Sequence, residues 1–234
     1  MQSGSNDISF SLFGFPTAIQ PFFWLIAAFI TAANIGSINN DMPIWILKLL
    51  LGMAGVLLSI LVHELGHALT FRHLFRTPCS IVLHGFGGMA VPHHAHRRSG
   101  GFRGAVEECF LSFAGPLAGF ILAFLMIILL QVVPADASLA SSLLRFFLWW
   151  TVTISIFWGI FNLLPIYPMD GGHISREIFL FFSPWQGIKF SLILSMMLAA
   201  LLAVLALRMG EVVLAFFFAY FAFQNYQEMQ FRSF

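Results

Sequence analysis

The stretch VHELGHALTFRH, residues 62–73, closes a long apolar run that opens at Pro43 as PIWILKLLLGMAGVLLSIL. A charged side chain at the centre of a bilayer costs about 3 kcal/mol, so a glutamate between two histidines there needs a purpose. On a helix His63 and His67 are four residues apart and project from one face, one turn above the other. That spacing lets two imidazoles reach one tetrahedral zinc ion. Glu64 follows His63 directly, where it can take a proton from a metal-activated water. The pattern is H-E-x-x-H. The competing reading is a polar triplet satisfied by neighbouring helices.

Zinc in such a site needs a third protein ligand. His73 stands six residues after His67, as in H-E-x-x-H-x-x-G-x-x-H, where a glycine lets the helix break. Here Thr70 holds the glycine position and is poorly suited to a left-handed turn. On a continuing helix His73 would lie about 120° round and about 9 Å along from His67, out of reach. It is read as an interfacial histidine. The better candidate lies in FNLLPIYPMDGGH, residues 161–173. Pro165 ends the preceding helix, and a turn is expected at Asp170-Gly171-Gly172. Asp170 is either turn chemistry or the missing ligand. Asn162 is either a helix cap or an amide placed for a developing oxyanion.

These residues must be positioned by membrane-embedded elements. The 234-residue chain is 59% hydrophobic and only 9% charged, with a mean hydropathy of +0.90. A soluble domain carries about 25% charged residues, so the chain cannot cover a water-facing surface. The net charge of +1 offers no basic stripe for phosphates and excludes a nucleic-acid partner. Two cysteines, Cys79 and Cys109, give no disulfide framework. No cleavable signal pattern opens the chain, so the N-terminus is expected to be retained.

The fold class expected is an all-α polytopic membrane protein, with about six transmembrane helices and a small β-hairpin or re-entrant loop near the active site. Apolar segments long enough to span cover residues 21–35, 43–75, 105–133, 141–164, 185–207 and 211–231. A short interfacial strand is expected over 8–16, a catalytic core over about 43–172 and C-terminal helices over about 185–231, all in one domain covering 1–234. Arg72, Arg76, Arg97, Arg98, Arg103, Arg176, Lys189 and Arg232 fall on one side, against Lys48, Arg145 and Arg208 on the other. That asymmetry puts both termini and the site toward the cytoplasm of a multi-pass protein of the cell membrane.

Between the second and third segments lies CSIVLHGFGGMAVPHHAHRRSGGFRG, residues 79–104. Ser80–Leu83 and Met89–Val91 read as short strands, with Gly85, Gly87 and Gly88 giving a turn or a close backbone approach. The alternative is an ordinary cytoplasmic hairpin. His93, His94 and His96 are read as a solvated loop, dispensable for chemistry. Gly115 and Gly119 form a G-x-x-x-G, read as close helix packing.

HELGH at 63–67 together with NLLPIYPMDG at 162–171 resembles the site-2 protease family of intramembrane zinc metalloproteases. The resemblance covers the second to fourth segments and, more loosely, the early strand and Gly85–Gly88. Ala114-Gly-Pro-Leu-Ala118 is similar to the family's third-span motif, although Gly119 stands where members commonly have asparagine. The resemblance implies His63, His67 and Asp170 as ligands of one Zn2+ per chain, Glu64 as general base, and Asn162 as a substrate or oxyanion contact. It implies a minimal-core member without PDZ-like or CBS-like domains, and a loop that dips beside the site and aligns substrate.

The expected function is zinc-dependent hydrolysis of a peptide bond in or near a transmembrane segment of a membrane-protein substrate, releasing a membrane-held regulator. A helical peptide bond is shielded and already hydrogen-bonded, so substrate must be extended where it is cut. The stretch Ser80–Val91 is expected to offer a free strand edge to it. Gly85, Gly87 and Gly88 would admit the second backbone, and Met89 and Ala90 would supply the ladder. Two other classes compete: a membrane metal transporter, suggested by eight histidines, and an inactive scaffold. A transporter would need ligands along a path, whereas the pair here is gathered at one end beside a carboxylate. Loss of function would be expected to erode the metal ligands first, and these are intact.

Overall fold

The computed structural model describes residues 6–36, 41–85, 87–94, 101–134 and 138–232. In chain order the elements are β1 (Ile8–Leu12), β2 (Phe15–Ile19), α1 (Pro21–Asn34), α2 (Met42–His73), β3 (Cys79–His84) and β4 (Gly87–Pro92), followed by α3 (Gly101–Val132), α4 (Leu139–Asn162), α5 (Asp170–Phe182), α6 (Gly187–Arg208) and α7 (Val212–Phe231). A helix stands at each of the six expected apolar segments. Four of them, α2, α3, α4 and α6, are long and apolar enough to cross a membrane. α1 has only 14 residues, and α7 ends in the polar run QNYQEMQ. The chain is a multi-pass membrane protein, mostly helical, with a small four-stranded sheet.

The chain divides into two compact units, residues 1–97 with 114–159, and residues 98–113 with 160–234. The first holds the sheet, ordered β1-β2-β3-β4, in which β2 and β3 are parallel and the outer pairs antiparallel. The expected single strand over 8–16 is instead a hairpin. Phe13 and Gly14 both adopt positive φ, 49° and 83°, which matches the twist that a two-residue hairpin turn requires. Arg72 of α2 donates to the Phe13 carbonyl at 2.8 Å and lies 4.5 Å over the Phe15 ring, fixing the turn to the end of α2. Alternate residues Phe15, Thr17, Ile19, Cys79, Ile81 and Leu83 are buried, so one sheet face packs on α1 and α2. β3 is flanked on both sides. The free edge expected anywhere along 80–91 therefore belongs, in this hairpin, to β4 alone.

Within this unit α2 is in close contact with several neighbours because its inward stripe is small. A Cβ on Gly66 would meet the Ala114 carbonyl oxygen and, at 2.9 Å, the Ala118 Cβ of α3. Ser155 of α4 donates to Ser59 at 2.9 Å, and Ser59 donates to the Gly55 carbonyl at 2.8 Å. Small-residue packing of this kind is how membrane helices associate without a hydrophobic driving force between them.

The second unit is built on the α6–α7 pair and α5. Its core gathers Ile166, Met169, Ala199, Ala203, Phe218 and Phe221. Residues 163–169 are anchored to this core by two polar side chains. Ser195 of α6 accepts from the Tyr167 N–H at 3.1 Å and donates to the Pro165 carbonyl at 3.3 Å. Asn225 of α7, 1% exposed, donates to the Tyr167 carbonyl at 2.7 Å. The expected turn at Asp170-Gly171-Gly172 is instead the first turn of α5. A Cβ on Gly171 would meet the Leu163 carbonyl, and one on Gly172 would sit 2.6 Å from the Tyr167 Cα. Only glycines let the helix start this close to the chain that leads into it.

Candidate metal and proteolytic site

α2 runs unbroken from Met42 to His73, so His63 and His67 lie one turn apart on one face with Glu64 next to His63. All three are buried. The Nε2 atoms of His63 and His67 are 3.3 Å apart, with the rings edge-to-face at 75°. Two nitrogens bound to tetrahedral zinc at about 2.05 Å would be separated by about 3.3 Å. The pair is therefore already at ligand spacing. His73 is exposed at the helix end, as the absence of a glycine at position 70 predicts. His93 and His94 are exposed beyond β4, and His96 lies outside the described residues.

Two glycines keep the turn open. A Cβ on Gly115 of α3 would collide with His67 Nε2 and stand 2.8 Å from His63 Nε2. The sequence pattern assigned Gly115 to plain helix packing; it instead reserves the space in front of both nitrogens. Its partner in the G-x-x-x-G is less confined than expected, since a Cβ on Gly119 would meet the Ser155 carbonyl at an ordinary 3.6 Å. A Cβ on Gly88 of β4 would meet the Glu64 side chain, at 2.7 Å from both Cδ and Oε1. The β4 backbone thus lies directly against the carboxylate. Gly85 and Gly87 flank the hairpin turn against the rings of Phe22 and Trp158 respectively.

The backbone of β4 has a definite polarity. The His93 N–H bonds the Pro78 carbonyl at 2.9 Å, and the register runs Cys79↔Pro92, Ser80↔Val91, Ile81↔Ala90 and Val82↔Met89. Antiparallel pairs alternate between hydrogen-bonded and non-bonded, so Met89 and Val91 bond to β3 while Gly88 and Ala90 turn their amides and carbonyls to the open edge. Met89 and Ala90, expected to act alike, therefore face opposite ways. At the far end of β3, burial lowers the His84 imidazole below its ordinary pKa, keeping it neutral at pH 7.

Asp170 is the first residue of α5, and Asn162 is the last of α4. His63, His67 and Asp170 are three donors that could hold one metal ion, with two imidazoles and a carboxylate as in catalytic zinc sites. Sequence reasoning missed Ser195 and Asn225, which hold the segment leading to Asp170. Their signal was polarity inside apolar helices, which in a membrane marks a structural or functional contact.

Residues 131–205, which include Asn162 and Asp170, match peptidase family M50. The chain is 30% identical over 220 residues to stage IV sporulation protein FB of Bacillus subtilis, covering 90% of this chain and 66% of that one. It is 27% identical over 170 residues to the zinc metalloprotease MJ0392 of Methanocaldococcus jannaschii, covering 72% and 44%. It is 34% identical over 134 residues to a Mycobacterium tuberculosis protein named Rip3, covering 54% and 31%. The chain thus spans between about a third and two thirds of the length of these relatives. A solved site-2 protease from M. jannaschii shares the fold, with a TM-score of 0.59 at 24% identity over 95% of both chains. The family match over residues 131–205 agrees with the 30% identity that runs across 90% of the chain, and the chain belongs to peptidase family M50.

Proposed function

We propose that this chain is an intramembrane zinc endopeptidase that hydrolyses a peptide bond in or near a transmembrane segment of another membrane protein. The observation that carries the proposal is the buried His63–His67 pair at 3.3 Å, with Glu64 on the same turn and the β4 edge laid against it. When bound, zinc supplies Lewis-acid activation of a water and of the scissile carbonyl. His63 and His67 present Nε2 and Asp170 a carboxylate oxygen as ligands. Glu64 takes the proton of the attacking water and hands it to the departing amide nitrogen, as a general base and then acid. Asn162 offers its amide N–H groups to the developing oxyanion.

The substrate enters as an extended segment that adds to the open edge of β4, pairing with the outward amides and carbonyls of Gly88 and Ala90. This places the cut beside Glu64 and satisfies substrate backbone groups that would otherwise be unpaired in apolar surroundings. The protease domain comprises the whole chain. It crosses the membrane six times, with α1 and α7 as the shorter or less apolar spans, both termini cytoplasmic, and the site on the cytoplasmic side of the cell membrane. Incubation of purified protein with single-pass substrates, with and without chelator, tests the activity. Chelator-sensitive cleavage lost in Glu64→Gln is expected; cleavage that persists in Glu64→Gln protein would overturn the general-base role.

A further inference from the structure

α5 is 13 residues long, about 20 Å of helix, and cannot cross about 30 Å of hydrocarbon. It nevertheless carries an apolar stripe. Ile174, Ile178, Phe181 and Phe182 stand at i, i+4, i+7 and i+8, one face of a helix. Ser175 and Glu177 are buried, whereas Ile178 and Phe181 are each 48% exposed and Phe182 78%. Phe102, at the start of α3 and also exposed, meets the Phe181 ring edge-on at 5.6 Å, and Phe181 meets Phe182 at 5.4 Å. Trp185 follows, 94% exposed.

The next element decides what covers this aromatic patch. α6 begins at Gly187, two residues after Trp185, and is one of the helices able to cross the membrane. The patch therefore sits where the chain enters the bilayer. Tryptophan and phenylalanine at that boundary place apolar rings below the headgroups, and nearby cations meet the phosphates. Exposed Lys189 stands four residues after Trp185, and Arg103, next to Phe102, is exposed and paired with Glu107 at 2.8 Å. We propose that α5 lies in the plane of the bilayer at the headgroup–acyl boundary, anchored by Phe102, Phe181, Phe182 and Trp185. Asp170 begins the same helix. On the proposed reading of Asp170 as a ligand, the lipid surface becomes the reference that sets the depth of the ligand-bearing end.

Nitroxide labels at Ile174→Cys, Ile178→Cys, Phe182→Cys and Trp185→Cys, each in a Cys79→Ala, Cys109→Ala background, would be read in phosphatidylcholine–phosphatidylglycerol nanodiscs. Collision with oxygen and with a water-soluble nickel chelate gives the depth of each label. The expected result is one common shallow depth for all four. A depth changing steadily from 174 to 182, by about 12 Å for a helix along the membrane normal, would overturn the proposal. So would free access of nickel chelate at every site, or exclusion of both reagents, which would mean a protein partner covers the patch. The consequence for Asp170 is read separately. Phe182→Ser with Trp185→Ser should release zinc to a chelator several-fold faster than the parent in bilayers and at the same rate in detergent. Equal rates in both media, with the common depth intact, would remove the link to Asp170 and leave the anchor standing.

Discussion

At the scale of single residues, chemistry is set by atoms a few ångströms apart. Glu64→Gln keeps size and hydrogen-bonding capacity but cannot take a proton. It should keep zinc and lose on the order of 10²–10⁴-fold in cleavage rate, read by zinc content and turnover on the same preparation. Gly115→Ala tests a different point. The added methyl would occupy the space facing both Nε2 atoms. We expect zinc affinity to fall by roughly 10–100-fold, the range seen when groups supporting metal ligands are altered. Competition with a calibrated chelator checks it, and unchanged affinity would show that the imidazoles approach the metal from another direction. His63 and Glu64 were legible in the sequence because a helix fixes what lies one and four residues away. Gly115 was legible only as packing, because its neighbours are brought to it from another helix.

At the scale of elements, β4 and the segment before α5 make separable predictions. Ala90 turns its amide to the open edge and Met89 turns its amide to β3. Ala90→Pro should therefore reduce cleavage and raise KM while leaving the hairpin and zinc content intact. Met89→Pro should break the β3–β4 ladder itself and lower thermal stability as well. Equal behaviour of the two variants, or no effect of Ala90→Pro on cleavage, would argue against strand addition at this edge. In the other unit, Asn225→Ala removes the donor to the Tyr167 carbonyl and leaves that group short of a partner. A loss of about 1–3 kcal/mol in unfolding free energy is expected, with weaker zinc retention because residues 163–169 lead directly to Asp170. Denaturation in detergent and zinc release on the same variant check both. The sequence marked 165–172 as a break from helix, correctly at Pro165. It missed that Asp170 starts a new helix, because Gly-Gly normally favours turns and only the close approach to Leu163 and Tyr167 explains the pair.

At the scale of the whole molecule, the testable quantity is topology. On the proposed reading of six crossings, Ser138, between α3 and α4, lies on the side opposite the site. Ser138→Cys should be labelled by an impermeant reagent only from outside the cell; labelling from the cytoplasmic face would reverse the orientation. On the proposed reading the substrate is extended at the cut, so Gly, Pro or Asn placed in its transmembrane segment should speed cleavage by lowering the cost of unwinding. A panel of such substrates showing no acceleration would mean that unwinding does not limit the rate.

Composition alone determined that this chain lives in a membrane, since 9% charged residues cannot cover a soluble surface. Helical periodicity alone determined that His63, Glu64 and His67 share a turn and that His73 does not reach them. Those are local consequences of 3.6 residues per turn, and they need no tertiary information. Tertiary structure decided the rest. It turned one expected strand into a hairpin through positive φ at Phe13 and Gly14, and set β3 between two neighbours so that, of the β3–β4 hairpin, β4 alone keeps a free edge. It also set Gly115 before the histidine nitrogens and Gly88 against Glu64. Each of these depends on which backbone approaches which side chain across tens of residues. Such approaches leave no periodic trace, only a glycine whose reason becomes visible when its neighbour is known.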